Sequence, residues 1–180
     1  MKKTILVTAL VFVMSFSAKA QLLQIGVKAG LNYANFSGTD IQTDAITSYH
    51  AGLIAEIKLL DKFAIQPELL YTTQGASYKD GINEIKNELG YIAIPVLAKI
   101  YLGKSFSLEL GPQASFLLSK KGDFTVNDPN TFDFAVDAGL GLKVTKQIFI
   151  QGRYVLGLTE VSTNAQSKNS VFQLSAGLMF

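Results

Sequence analysis

Tyr49-His50-Ala51-Gly52-Leu53-Ile54-Ala55-Glu56-Ile57-Lys58-Leu59 is the stretch on which the fold turns. Its odd-numbered positions hold Tyr, Ala, Leu, Ala, Ile and Leu, while the even-numbered ones include His, Gly, Glu and Lys. Successive side chains of a β-strand point to opposite faces, so this is a strand with one apolar and one largely polar face. The same period recurs over Ile25–Tyr33, Phe63–Tyr71, Ile92–Ile100, Phe106–Phe116, Phe134–Leu142, Ile148–Leu158 and Phe172–Phe180. On the apolar faces no charged, amide or alcohol side chain occurs, and the phenols of Tyr33, Tyr49, Tyr71 and Tyr154 are the only polar groups. The opposite faces carry Lys28, Glu56, Lys58, Glu68, Lys99, Glu109, Asp133, Asp137, Lys143 and Arg153, with amides, His50 and recurrent Gly between them.

The connections alternate in length. Leu60-Asp61-Lys62, Leu102 to Ser105 and Thr145 to Gln147 are short, whereas 35–48, 75–90, 119–131 and 159–169 are longer and rich in Asn, Asp, Ser, Thr, Gly and Lys. Tight turns at one end and long polar loops at the other are the layout of outer-membrane barrels. Alternation alone fits a soluble barrel too, with the apolar face inward. Volume decides between them: eight strands enclose room for side chains or one small ligand, and the apolar set would overfill it. Gly26, Gly30, Gly52, Gly111, Gly139, Gly141, Gly157 and Gly177 recur on the polar face, where lack of volume suits a narrow lumen, so the apolar face is expected to meet lipid. Aromatic residues bracket several strands: Phe63 and Tyr71, Phe106 and Phe116, Phe172 and Phe180. Their separation, at ~3.3 Å per residue and a tilt near 40°, spans about 20–25 Å, the height of a lipid-facing band. The expected fold is all-β: an eight-stranded antiparallel up-and-down transmembrane β-barrel with short periplasmic turns and four longer extracellular loops.

The first twenty residues read separately. Met1-Lys2-Lys3 is basic, Thr4 to Ala18 is uncharged, and Ala18 and Ala20 precede Gln21 as the small residues of a cleavage site. The uncharged span is shorter than the ~20 residues a membrane helix needs. Residues 1–20 are therefore expected to be a cleaved signal peptide and 21–180 the barrel domain. The whole chain has a formal charge of +2 and a pI of 8.7. Loss of Lys2, Lys3 and Lys19 leaves fewer basic than acidic residues, which removes any case for a nucleic-acid partner. There is no Cys, hence no disulfide and no thiolate metal site.

The interior charges, five acids and five bases, are expected to pair, since an unpaired buried charge costs several kcal/mol. Lys28, Glu56, Glu68, Lys99, Glu109, Arg153, Asp137 and Lys143 form the expected lumen charge network. Mid-strand members of this set that could exchange partners make it a candidate gate. His50, the one histidine, stands beside Ser48, the components of a Ser/His/acid hydrolase, but alternation aims it into the lumen and away from lipid. Catalytic residues, cofactors and metal sites are not expected: the loop acids lack EF-hand spacing, and Gly139-x-Gly141 is followed by no helix.

Together the basic leader, the eight strands and the final Phe172-x-Leu174-x-Ala176-x-Leu178-x-Phe180 resemble small outer-membrane proteins of the OmpA/OmpX type. Gly26-Val27-Lys28-Ala29-Gly30-Leu31-Asn32, Tyr91-Ile92-Ala93-Ile94-Pro95-Val96-Leu97-Ala98-Lys99 and Gly152-Arg153-Tyr154-x-x-Gly157-Leu158 resemble, more narrowly, the PorT-like "porin family" barrel of Bacteroidetes. Where many members of that family carry an acid before the Ile-Pro, this chain has Ala93. The resemblance implies a monomer in a Gram-negative outer membrane, in contact with lipid and lipopolysaccharide. It also implies that Phe172, Leu174, Leu178 and Phe180 form a signal read by the barrel-assembly machinery. The function expected is a non-enzymatic structural or interaction role, with the loops at 35–48, 75–90, 119–131 and 159–169 meeting an extracellular protein or surface ligand. The alternatives are a narrow gated channel for ions or small solutes, or an accessory part in secretion or adhesion.

Overall fold

A computed structural model gives the structure, described over residues 22–37, 44–80, 83–122, 130–162 and 165–180. The expected leader, with Ala18 and Ala20, lies outside the described residues. Eight strands follow in order: β1 (Leu23–Ser37), β2 (Asp44–Leu60), β3 (Phe63–Asp80), β4 (Asn83–Tyr101), β5 (Phe106–Gly122), β6 (Phe132–Lys143), β7 (Ile148–Ser162) and β8 (Ala165–Met179). Each pairs antiparallel with its sequence neighbours, and β1 closes on β8 from Gly26 opposite Met179 to Ser37 opposite Lys168. No helix occurs among the described residues.

Closure follows from the solvent. Hydrocarbon offers no hydrogen-bond partner, so a sheet crossing a bilayer must satisfy its own edges. The alternation then sorts the side chains. Ile25, Leu31, Leu53, Leu110, Leu140, Leu174 and their outward neighbours are exposed, while Lys28, Glu56, Glu68, Glu109 and Arg153 are buried. Aromatic residues gather at the loop end of the outer face: Phe172 pairs across to both Tyr33 and Tyr154, and Tyr49 stacks near Tyr71 at 6.2 Å and Phe116 against Phe132 at 5.4 Å.

The loop boundaries differ from expectation. Of 75–90, all but the tip is paired strand, with Gly75 opposite Glu88 and Asp80 opposite Asn83. Likewise β1 and β2 extend into 35–48, β5 runs through Ser119 to Gly122, and β7 pairs with β8 as far as Ser162 opposite Ala165. The hairpins continue as strands beyond the apolar band, because once both faces meet water the ladder persists without alternation. The rise is uneven: β6 starts at Phe132, opposite Phe116, whereas β5 continues six residues further.

The lumen face is less uniformly polar than the sequence pattern implied. Ile54, Phe149 and Met179 form an apolar cluster near the turn end, and Ala34, Ile46, Ala135, Val155 and Val171 another toward the loop end. Gly177 makes the first possible, for a Cβ there would enter the Phe149 ring.

Outward Leu110 lies midway between Phe106 and Phe116 and is 58% exposed. Leu110→Arg is expected to destabilise the barrel by about 2–4 kcal/mol in lipid, as a charge at the midplane does. Folding titrations in phospholipid vesicles measure this, and unchanged stability would contradict the orientation.

Candidate functional site

The short radius of an eight-stranded barrel brings side chains from opposite walls within reach of one another. Seven strands contribute to a single charge network inside it. Arg153, on β7 and fully enclosed, makes the two parallel bonds that a guanidinium fork offers a carboxylate: Nη2 to Glu68 Oε1 at 2.7 Å and Nη1 to Glu68 Oε2 at 3.0 Å. Nη1 also reaches Asp137 Oδ2 at 3.2 Å, and Nη2 lies 4.0 Å from Glu109 Oε2. Lys28, from β1, stands 2.8 Å from Glu68. On the turn side Lys99 joins Glu109 at 3.1 Å to Glu56 at 3.2 Å, and Lys143 meets Glu56 at 3.2 Å.

Two glutamines tie these halves together. Gln151 accepts from Lys28 at 2.8 Å and from Arg153 at 3.0 Å, and its own amide donates to Glu109. Gln66 donates to Glu68 at 2.7 Å and accepts from Lys99 at 2.9 Å. The Tyr101 hydroxyl donates to Glu56 at 2.5 Å. Lys28, Glu56, Glu68, Lys99, Glu109, Asp137, Lys143 and Arg153 are thus all brought together, four acids with four bases. Alternation had signalled the face of each residue. The bridging roles of Gln66, Gln151 and Tyr101 carried no separate signal, since an amide or a phenol in a strand is unremarkable by pattern.

Of the five-and-five count, one acid and one base stand apart. Asp133 lies toward the loop end, accepts from Asn169 at 3.0 Å, and leaves its Oδ1 unpartnered. Lys58 sits 5.7 Å over the Tyr101 ring. Period two fixes which wall a residue faces and says nothing of its height, which is what separates Asp133; Lys58 shares the Tyr101 ring with Lys99 and Lys143 but makes no ion pair among the described residues.

Above the charges lies a neutral polar layer centred on His50. Asn32 uses its amide N–H groups on Thr72 Oγ1 at 2.9 Å and the Thr73 carbonyl at 2.7 Å, which leaves its Oδ1 as acceptor. His50 Nδ1, 2.6 Å from that oxygen, therefore donates, and neutral Nε2 accepts from Ser175 Oγ at 2.7 Å. Ser48 does not join this group; its hydroxyl donates to the Thr73 carbonyl at 2.6 Å. The Ser48–His50 pairing considered from sequence is therefore absent, and its place is taken by a Ser175–His50–Asn32 chain enclosed in the lumen. Among the described residues no cluster of His, Cys, Asp and Glu could hold a metal ion.

Removing Arg153 would leave Asp137 without a cation and Glu68 with Lys28 alone. Arg153→Met is expected to cost about 3–5 kcal/mol, the loss typical of one partner of a buried pair. Urea unfolding of refolded protein in detergent micelles measures this, and a change below about 1 kcal/mol would contradict it.

The comparisons with known proteins agree with this geometry. The model of the family described as "Outer membrane protein beta-barrel domain" matches residues 18–163. Among solved structures, Ail, the attachment invasion locus protein of Yersinia pestis, superposes with a TM-score of 0.57 at 13% identity, over 87% of this chain and 98% of that one. Neisserial surface protein A gives 0.54 at 16% identity, over 87% and 95%. OprG from Pseudomonas aeruginosa gives 0.51 at 11% identity, over 87% and 95%. At such identities the likeness is one of fold. No curated protein matches the sequence. The family match over most of the chain, on a closed barrel with an apolar outside and a charge-lined inside, makes this chain a member of the outer membrane protein beta-barrel domain family, resident in the outer membrane.

Proposed function

We propose that the protein is a non-enzymatic barrel with a filled lumen, which works by presenting its outer hairpins to a partner. The observation that carries this reading is the network from Asp137 through Arg153, Glu68 and Glu109 to Lys99, Glu56 and Lys143, with apolar clusters toward either end. A path for water or ions would have to part charges that hold one another at about 3 Å, inside a space with little water to replace them. The outer hairpins, by contrast, extend the barrel wall past the lipid and provide the surface that faces the environment. By sequence that end carries eight acidic residues and five lysines, so a basic or cation-bridged ligand suits it best.

Several finer assignments accompany this proposal. Residues 1–20 serve as the leader, cleaved after Ala20. The outward alternation of Phe172, Leu174, Leu178 and Phe180 serves as the strand that the assembly machinery recognises, and the barrel is of the PorT-like kind. Ser48 turns away from His50, which supports a structural role for the histidine over hydrolysis. Adhesion, as the name of Ail indicates for that protein, and an accessory role in secretion fall within the same reading.

A second reading, a narrow gated channel, has one observation in its favour. Arg153 lies within reach of Glu68, Asp137 and Glu109 together, so it could change partners without being stripped of all of them. Planar-bilayer recording from refolded protein of residues 21–180 separates the two. The filled-lumen reading predicts no more than small, brief openings. Steady, large single-channel currents would overturn it in favour of the channel.

A further inference from the structure

The three short turns share a pattern that strand pairing does not demand. Leu60-Asp61-Lys62, Leu102-Gly103-Lys104 and Val144-Thr145-Lys146 each place a lysine two residues after an apolar residue, at equal intervals along the chain. All three apolar residues are exposed, Leu60 the most at 70%, and so are the three lysines. None of these lysines takes part in an ion pair among the described residues, and Asp61 is the one acidic side chain within the three turns. The outer end is the reverse, with acids outnumbering lysines. The charge is therefore segregated along the barrel axis, positive at the turns.

Placement indicates what such a rim meets. The turns join β2 to β3, β4 to β5 and β6 to β7, so in the closed barrel the lysines recur at every second strand around the circumference. A globular partner docking at one side would cover one of them. A ring of lipid would meet all three. Each exposed Leu or Val continues the apolar outer face to its lower edge, and a lysine just beyond stands at headgroup height, where an ammonium on a flexible apolar stem favours phosphate.

We infer that the turn rim binds anionic phospholipid: Lys62, Lys104 and Lys146 hold the phosphates of negatively charged headgroups in the periplasmic leaflet. This rests on the outer-membrane barrel alone and is independent of whether the lumen conducts.

Spin-labelled lipid tests it. The protein is refolded in phosphatidylcholine vesicles, with closure confirmed by a heat-modifiable gel shift, and the motionally restricted fraction of labelled phosphatidylglycerol is compared with that of labelled phosphatidylcholine. Wild type is expected to enrich the anionic label about threefold at low salt and to approach parity in 1 M salt, where the Debye length is about 3 Å. K62Q/K104Q/K146Q is expected to abolish the preference, each single variant to remove about a third of it, and Lys120→Gln, on the outer end, to leave it intact. Parity in the wild type, or a preference that survives in the folded triple variant or is undiminished in all three single variants, would overturn the proposal.

Discussion

Inside a bilayer every backbone N–H and C=O must find its partner within the protein, because the hydrocarbon supplies none and each unpaired group costs several kcal/mol. For a sheet that leaves one solution, closure of the last strand on the first, which here brings β1 against β8. The rest of the molecule follows from that ring. Eight strands make a ring whose interior is only side-chain deep, so whatever faces inward must fill the space and satisfy itself. Whatever faces outward must be acceptable to lipid, and Leu53, Leu110 and Leu174 are.

The interior solution is a cross-linked one. Glu68 is held by Arg153 and Lys28, Glu56 by Lys99, Lys143 and Tyr101, and Glu109 by Lys99, with Arg153 nearby and Gln151 as a further donor. Because these groups come from seven strands, the network ties opposite walls across the axis. Backbone ladders join only neighbours. A buried pair is weak evidence of stability compared with well-packed apolar residues, and continuum arguments allow an apolar core to do as well. What the charges add in this barrel is specificity of register: slip of one strand by one residue would carry its charge out to lipid and its Leu or Ile inward.

How far the sequence discloses this can be seen residue by residue. The outward face was readable throughout, since lipid tolerates no exception and so leaves a clean period of two from Ile25 to Phe180. The inward face tolerates anything that fits. Ile54, Leu70, Leu97, Phe149 and Met179 lie there among charges, and nothing local separates them from lysines or glutamates in the same parity class. Height is the second thing lost: Asp133 shares a face with the network but lies toward the loop end, where it bonds Asn169 instead. The third is the reach of the hairpins. Above the apolar band, 75–80 and 83–90 are as polar as a loop, and only pairing across the hairpin reveals them as strand.

The central claim is that the lumen charges act as one unit, with Glu109 the joint between the Lys99 and Arg153 halves. A double-mutant cycle of Lys99→Met and Arg153→Met, read by urea unfolding in micelles, tests it most directly, since neither cation touches the other and both lie on the same carboxylate. Either single change leaves Glu109 one cation; the pair leaves it none. The account predicts that the double variant loses more than the two single losses together, by about 0.5–3 kcal/mol, the coupling expected within one network. Losses that add to within about 0.5 kcal/mol, as those of independent sites do, would contradict it.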